Sequence, residues 1–165
     1  MKRTMLFLAV GLFALWAQAG SAQAPGPITL SFYEPANGGT FNVVDNAPRS
    51  PVKNPESRRY RFSIGDEVLF SQSVFDRKGG TKQGTIYGEA TVVKGRTFRS
   101  VLFLGRVVYV LNNGDQITAH GVFAFAADAR VPVTGGTGAY EGRRGTVVSH
   151  NNADGSSQDT LTLLP

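Results

Sequence analysis

Few side chains in this sequence have the types and spacing that chemistry requires. The 165 residues include two histidines and no cysteine, which excludes thiol and iron–sulfur chemistry. His120 and His150 lie on separate predicted strands without a paired carboxylate at ligand spacing, so we expect no metal site. Ser149, His150 and Asp159 have the residue types of a hydrolytic triad, but no G-x-S-x-G nucleophile elbow accompanies them. We therefore do not predict a triad.

The densest cluster of glycines lies in VTGGTGAYEGRRGTV, residues 133–147. A dinucleotide-binding loop needs G-x-G-x-x-G between a strand and a helix. The stretch from Gly136 to Glu141 lacks the third glycine, and Gly145 leads into a predicted strand. We therefore predict a corner between two strands, where glycine allows positive φ and close backbone approach.

The elements that must position any functional residue are predicted to be strands. Short β-branched and aromatic runs are bounded by glycine, asparagine or aspartate, and no segment keeps a helical period. The chain is therefore predicted to be all-β, with eight antiparallel strands that close into a barrel. A sandwich fits less well, because short meander connections dominate after residue 65. The predicted strands are 28–34, 66–76, 82–94, 97–111, 115–126, 129–134, 144–151 and 156–164.

Residues 35–65 form the one long predicted loop. This segment carries four prolines and four asparagines and contains no convincing strand beyond 40–44. Loops of this length in a compact domain tend to be lids, binding loops or disordered stretches. We expect it to lie outside the barrel, where it could cover a mouth.

Several predicted strands are apolar on both faces, as in residues 101–104 and 107–111. In an antiparallel strand with one solvent-exposed face, apolar and polar residues should alternate. We therefore expect the outer face of these strands to be covered. We predict a subunit interface and hence a homo-oligomer. Stable membrane insertion is the weaker alternative, because the strands lack the outward-apolar, inward-polar pattern of membrane barrels.

The first 24 residues have the pattern of a secretory signal peptide. A basic start, an apolar run from Leu6 to Trp16 and small-residue cleavage sites ending at Ala19 and Ala24 follow in order. We expect export, to the periplasm or outside the cell, of one domain spanning 25–165. The short clusters of arginine at 58–61 and 143–144 do not form a nucleic-acid-binding stripe.

The glycine-rich corner also carries a resemblance to a known family. The stretch VPVTGGTGAYEGRRG, residues 131–145, resembles the signature of the allene oxide cyclases and dirigent proteins. Weaker similarity extends over residues 32–34, 64–70 and 120–123. The resemblance implies an eight-stranded calycin-like barrel, usually trimeric, with an apolar cavity and with neither a metal nor an organic cofactor.

Proteins of this family shape a reactive intermediate. Allene oxide cyclases steer the ring closure of a fatty-acid-derived allene oxide, and dirigent proteins steer coupling or cyclisation of phenolic intermediates. Physically this is catalysis by positioning, in which a dry pocket selects one conformer and a few polar groups meet developing charge.

The resemblance places the family's functional residues on two strands of this chain. The carboxylate of the first strand falls on Glu34, and the amide of the second falls on Gln72, with glutamine in place of asparagine. A carboxyl group among apolar walls would have a raised pKa and could donate a proton or stabilise a cation. The alternative is a solvated glutamate at a strand end beside Pro35.

The resemblance also implies a pocket lined by Phe70, Ala90, Phe98 and Phe123. Independent support comes from the predicted strand 82–94, where small residues alternate on one face and leave room for a small apolar ligand. The alternative is that these aromatic rings fill the barrel as an ordinary core.

Three function classes stay open at this point. The protein is a cyclase or stereochemical guide for a small apolar intermediate, a non-catalytic carrier of such a ligand, or a surface interaction module. A barrel fold does not decide among them.

Overall fold

The computed structural model describes residues 26–55, 57 and 59–165. The predicted signal peptide, 1–24, lies outside these residues. The described chain is built almost entirely of strands, with one short 3-10 helix at Gly138–Tyr140. The strands are β1 (Ile28–Glu34), β2 (Gly39–Val44), β3 (Glu67–Phe75), β4 (Lys82–Lys94), β5 (Leu102–Leu111), β6 (Gln116–Phe123), β7 (Ala129–Gly136), β8 (Arg144–Asn151) and β9 (Ser157–Leu164).

The strands form one antiparallel sheet that closes on itself. From β2 to β9 each strand pairs with the next, and β1 returns to pair with β9 along its whole length. Closure comes from β1 and β3, where Tyr33 lies opposite Phe75. β1 and β2 both pair with β3, one after the other along its length, so together they take the place of one interrupted strand. The nine strands therefore build an eight-stranded barrel. The prediction of an all-β, eight-stranded antiparallel barrel is confirmed.

The expectation that residues 35–65 lie outside the barrel is wrong for two parts of the segment. β2 belongs to the wall, with Gly39 opposite Gln72 and Val44 opposite Glu67. Tyr60 and Phe62 are buried, and the Phe62 ring packs edge-on against Phe103 with centroids 5.7 Å apart. Burying two aromatic rings is strongly favourable. This part of the loop, Tyr60 to Phe62, packs into the barrel at the end where β2 and β4 end, and we call it the plug.

A buried carboxylate fixes the plug in place. Asp66 is fully buried, and its two oxygens accept hydrogen bonds from the backbone N–H groups of Asn46, at 2.9 Å, and Ser63, at 2.8 Å. These bonds give both buried oxygens a donor, and they join both ends of the loop to the residue that precedes β3.

The glycine-rich segment is a corner, as its sequence predicts. It joins β7 to β8, and Gly138 has a φ of +58°. A Cβ at Gly138 would lie 1.9 Å from the Asp115 carboxylate, which accepts a hydrogen bond from the backbone N–H of Ala139. Glycine is therefore required at 138 by both its backbone conformation and its close contact.

The described residues form two apolar clusters in the interior. One surrounds Phe32, Tyr109 and Leu161 in the middle of the barrel, and the other lies beneath the loop around Phe62 and Phe103. Among the residues that the structure describes, no helix is long and apolar enough to span a bilayer.

Phe62→Ala is expected to destabilise the fold strongly. The side chain is 1% exposed, and deleting a buried phenyl ring costs roughly 3–5 kcal/mol through lost transfer energy and a cavity. Ile64→Ala is the matched control, because Ile64 is 74% exposed and should change the free energy of unfolding by less than about 0.5 kcal/mol. Urea unfolding of both variants measures the difference, and equal effects would contradict the plug.

Candidate functional site

An apolar cavity of about 120 Å³ lies inside the barrel. An engineered apolar cavity of about 150 Å³ holds benzene, so this space suits a small ring or one end of a longer ligand. It lies towards the end of the barrel where β1, β6 and β8 end. Its apolar walls are formed by Phe70, Ile86, Val107, Ala119, Phe123, Phe125, Val131 and Val147.

Three polar side chains face this cavity as a connected group, which we call the acid cluster: Glu34, Tyr109 and Asp159. The pairing of β1 with β9 brings the two carboxyl groups together. Glu34 lies opposite Ser157 and Phe32 lies opposite Asp159, so all four side chains share the inner face of the two strands.

Tyr109 reaches the two carboxyl groups from across the barrel. Its strand, β5, does not pair with β1 or β9, so the contact is made through the interior. The ring stacks on Phe32 with centroids 5.8 Å apart, and the hydroxyl donates a short hydrogen bond to Asp159 Oδ2. The stacked ring fixes where the hydroxyl can point.

The second carboxylate oxygen of Asp159, Oδ1, differs from Oδ2 in its hydrogen bonding. The residue is 2% exposed, and no N–H or hydroxyl group of the described residues donates to Oδ1. A buried carboxylate oxygen without a donor is costly. The carboxyl group of Glu34, which interacts with Asp159, can donate to it only when it carries a proton.

The electrostatics of the acid cluster favour a proton on the Glu34 carboxyl group. Burial raises the pKa of Glu34 to about 9, and the charge of Asp159 and a hydrogen bond with it act in the same direction, while a hydrogen bond with Ser157 lowers it. Burial, followed by the charges of Asp159 and Glu34, raises the pKa of Tyr109 well above its ordinary value. At neutral pH the site therefore holds a protonated carboxyl group and a neutral phenol.

Gln72 lies beside the site but has another partner. Its amide Nε2 donates to the backbone carbonyl of Pro35 at 2.7 Å, across the interruption between β1 and β2. With Glu34, it lines a neighbouring pocket of about 220 Å³. Glu34 thus lies between the two pockets, and Asp159 rather than Gln72 is the carboxyl group's close side-chain partner.

The four residues that the sequence assigns to the pocket separate into two pairs. Phe70 and Phe123 line the cavity, whereas Ala90 and Phe98 lie in the cluster beneath the loop and are not among its lining residues. The inner face of β4 contains the small residues, but a Cβ at Gly88 would lie 2.1 Å from the Phe70 ring. The space at Gly88 therefore accommodates an aromatic ring.

Sequence reasoning missed Asp159, Tyr109 and Phe125 as site residues. Asp159 shares its strand face with the buried Leu161 and Leu163, and a carboxylate in phase with buried leucines was the available signal. Phe125 follows β6 and contacts five other phenylalanine rings between the cavity and the loop. Its position in a connecting loop gave no periodic signal.

Ser149, His150 and Asp159 do not assemble into a catalytic triad. Ser149 and Asp159 lie opposite each other and line the cavity, but the exposed His150 bonds through Nδ1 to Asp128 at 2.7 Å. Within the described part of the chain, no group of three histidine or acidic side chains could hold a metal ion.

Comparison with known proteins gives similarity of fold. No protein-family model and no curated protein matches the sequence. A pyocyanin demethylase shares 17% identity at a TM-score of 0.59, with 82% of this chain and 99% of that chain covered. A pterocarpan synthase dirigent protein shares 14% identity at a TM-score of 0.60, covering 91% and 96%. An exo-specific intermolecular Diels–Alderase shares 15% identity at a TM-score of 0.58, covering 84% and 98%. The chain has the barrel fold of these proteins.

Glu34→Gln is expected to weaken a pH dependence of stability. Between the ordinary pKa of 4.5 and the folded value of about 9, the folded chain binds a proton that the unfolded chain has lost. This contribution to stability is complete below pH 4.5 and decreases as pH rises to about 9, by at most about 1.4 kcal/mol per pH unit. Chemical denaturation across this range measures it, and parallel pH profiles for the wild-type and variant proteins would contradict the assignment.

Proposed function

We propose that this protein is an exported barrel that binds a small apolar intermediate and steers its cyclisation or coupling without a cofactor. The observation that carries the proposal is the Glu34 carboxyl group, which faces an apolar cavity together with the buried Asp159 and whose pKa is raised by burial. The fold similarity to a dirigent protein and a Diels–Alderase supports it, as does the resemblance at residues 131–145. Export rests on the sequence of residues 1–24.

The cavity supplies positioning. Aromatic rings at Phe70, Phe123 and Phe125 and aliphatic walls restrict a flexible ligand to few conformers, and they exclude water that would trap a reactive intermediate. Holding reacting atoms in one geometry lowers the barrier without any covalent participation by the protein.

The acid cluster supplies electrostatics. Glu34 carries its proton at neutral pH and donates it, or a strong hydrogen bond, to an oxygen of the bound ligand. Positive charge that then develops on the ligand lies near the Asp159 carboxylate, in surroundings where few waters weaken the attraction. This arrangement favours ligands that gain positive charge during reaction.

A non-catalytic carrier is the competing function, and the small apolar cavity itself favours it. A carrier needs the walls but has no use for a protonated acid held beside a buried carboxylate. A surface interaction module needs neither feature.

The test combines binding with product analysis. Purified protein is incubated with epoxide-bearing polyenes, with phenols under one-electron oxidation and with diene–dienophile pairs, and products are resolved by chiral chromatography. We expect one class to yield a product whose stereochemical excess depends on the protein. Glu34→Gln should lower that turnover roughly a hundredfold or more, with ligand affinity changed only a few-fold.

Two matched variants separate the competing outcomes. Ala129→Phe fills the cavity, which Ala129 lines, and should abolish both binding and steering; Ala126→Phe adds the same ring to an exposed residue outside the lining and should preserve them. Binding without any change in products would leave only a carrier. Absence of binding in the wild-type protein would favour an interaction module.

We also propose that the barrel assembles through the outer face of β3 to β6. Five large apolar residues are exposed on these neighbouring strands, and four of them flank a central ion pair, Arg106 with Glu89 at 2.9 Å. A second copy presents the same mixture of apolar and paired charged groups. The four flanking residues are Leu69, Tyr87, Leu104 and Val122, and the fifth exposed residue is Val93.

Leu104→Arg is expected to shift the protein from oligomer, with a trimer favoured, to monomer. Leu104 lies opposite Val122 on this face, so a charge there would be buried without a partner on assembly. Leu164→Arg on β9 is the control, since Leu164 is similarly exposed but lies at another part of the wall. Analytical sedimentation distinguishes the species, and a wild-type monomer at micromolar concentration would contradict the assembly.

A further inference from the structure

We infer that Asp159 and Tyr109 are positioning residues that keep the proton of the cavity on Glu34, so that Glu34 is an acid and Asp159 a fixed negative charge. The arrangement of the proton stands on the geometry of the cluster. Its catalytic use rests on the function proposed above.

The first step concerns the number of protons. Glu34 and Asp159 face each other at the edge of an apolar cavity, and two adjacent carboxylates in such surroundings do not both ionise. Of the residues that the structure describes, no lysine, arginine or histidine lines either pocket beside Glu34. No cation in these linings compensates a second negative charge, so the pair retains one proton at neutral pH.

The second step concerns which carboxyl group holds it. Asp159 Oδ2 already accepts a hydrogen bond from the Tyr109 hydroxyl. Within the part of the chain that the structure describes, the two acids are the ionisable groups that act on this hydroxyl. Donation by a phenol stabilises the charged form of its acceptor. Asp159 is therefore the carboxylate. Its remaining oxygen, Oδ1, has no N–H or hydroxyl donor among the described residues and accepts the proton of Glu34.

The third step concerns rigidity. Asp159 is 2% exposed and Tyr109 is 2% exposed, with its ring stacked on Phe32, so neither can turn away to water. Glu34 is less completely enclosed and reaches both pockets. The fixed pair thus holds the charge. Without a ligand the proton of Glu34 is directed at Asp159 Oδ1, and because Glu34 is the outermost member of the cluster, an oxygen of a bound ligand replaces Oδ1 as the acceptor.

Infrared titration of the purified protein tests this arrangement without any substrate. Glutamate with isotope-labelled carboxyl groups separates the absorption of protonated glutamate from that of protonated aspartate, and Glu34→Gln identifies the band of Glu34. In the wild-type protein we expect the Glu34 band to persist at neutral pH and to disappear near pH 9, with no protonated aspartate band from the cavity.

Two variants then test the positioning residues. Asp159→Asn removes the neighbouring charge, and the Glu34 band should disappear at a pH lower by roughly one to three units, a tenfold to thousandfold loss of proton affinity. Tyr109→Phe removes only one hydroxyl, so it keeps the inference testable if Asp159→Asn fails to fold. In Tyr109→Phe, part of the proton should move to Asp159, and a protonated aspartate band should appear at neutral pH.

Surface variants of the same chemistry are the controls. Tyr87→Phe and Asp154→Asn alter exposed residues and should leave the titration of Glu34 unchanged. If Glu34 loses its proton near pH 4.5 in the wild-type protein, or titrates identically in Asp159→Asn and Tyr109→Phe, the inference is overturned. A protein that shows the expected titration but steers no product would refute the proposed function and leave the arrangement of the proton intact.

Discussion

The register between β1 and β9 is the constraint on which the rest of the structure depends. It places Glu34 opposite Ser157 and Phe32 opposite Asp159, and it closes a barrel whose other edge meets β1 only near Tyr33. A slip of one residue would turn every side chain of β1 to the opposite face. Both the acid cluster and the apolar cluster around it would then be lost together.

Closure of the barrel keeps the carboxyl groups of the acid cluster away from bulk water. The interior around the cluster is mostly apolar, with Ser149, Asn151 and Ser157 as the other polar residues of the lining. A carboxyl group there is neutral, paired or strongly destabilising. Asp159 accepts a hydrogen bond from the Tyr109 hydroxyl, and Glu34 retains its proton. The charge of Asp159 favours the proton on Glu34, and that proton in turn stabilises the charge of Asp159. Polar groups that would be unfavourable singly are satisfied as a connected set, which is the usual requirement for a buried polar network.

The long segment between β1 and β3 has two physical roles. Its β2 part completes the wall after the interruption at Pro35, and Gln72 bridges that gap by donating to the Pro35 carbonyl. Tyr60 and Phe62 fill the space beneath the loop. Aromatic side chains therefore occupy part of this end of the barrel, and the apolar cavity with the acid cluster lies beside them, with Phe125 in contact with both.

The sequence by itself determined the all-β class, the barrel and the glycine corner, because alternation of side chains and the conformational needs of glycine are local properties. It also indicated Glu34, by resemblance. Only the tertiary structure decided the partners of Glu34: Asp159 lies far along the chain and Tyr109 reaches it across the interior from a non-adjacent strand. Contacts across a barrel depend on closure and register together, and neither is encoded by spacing within a single strand.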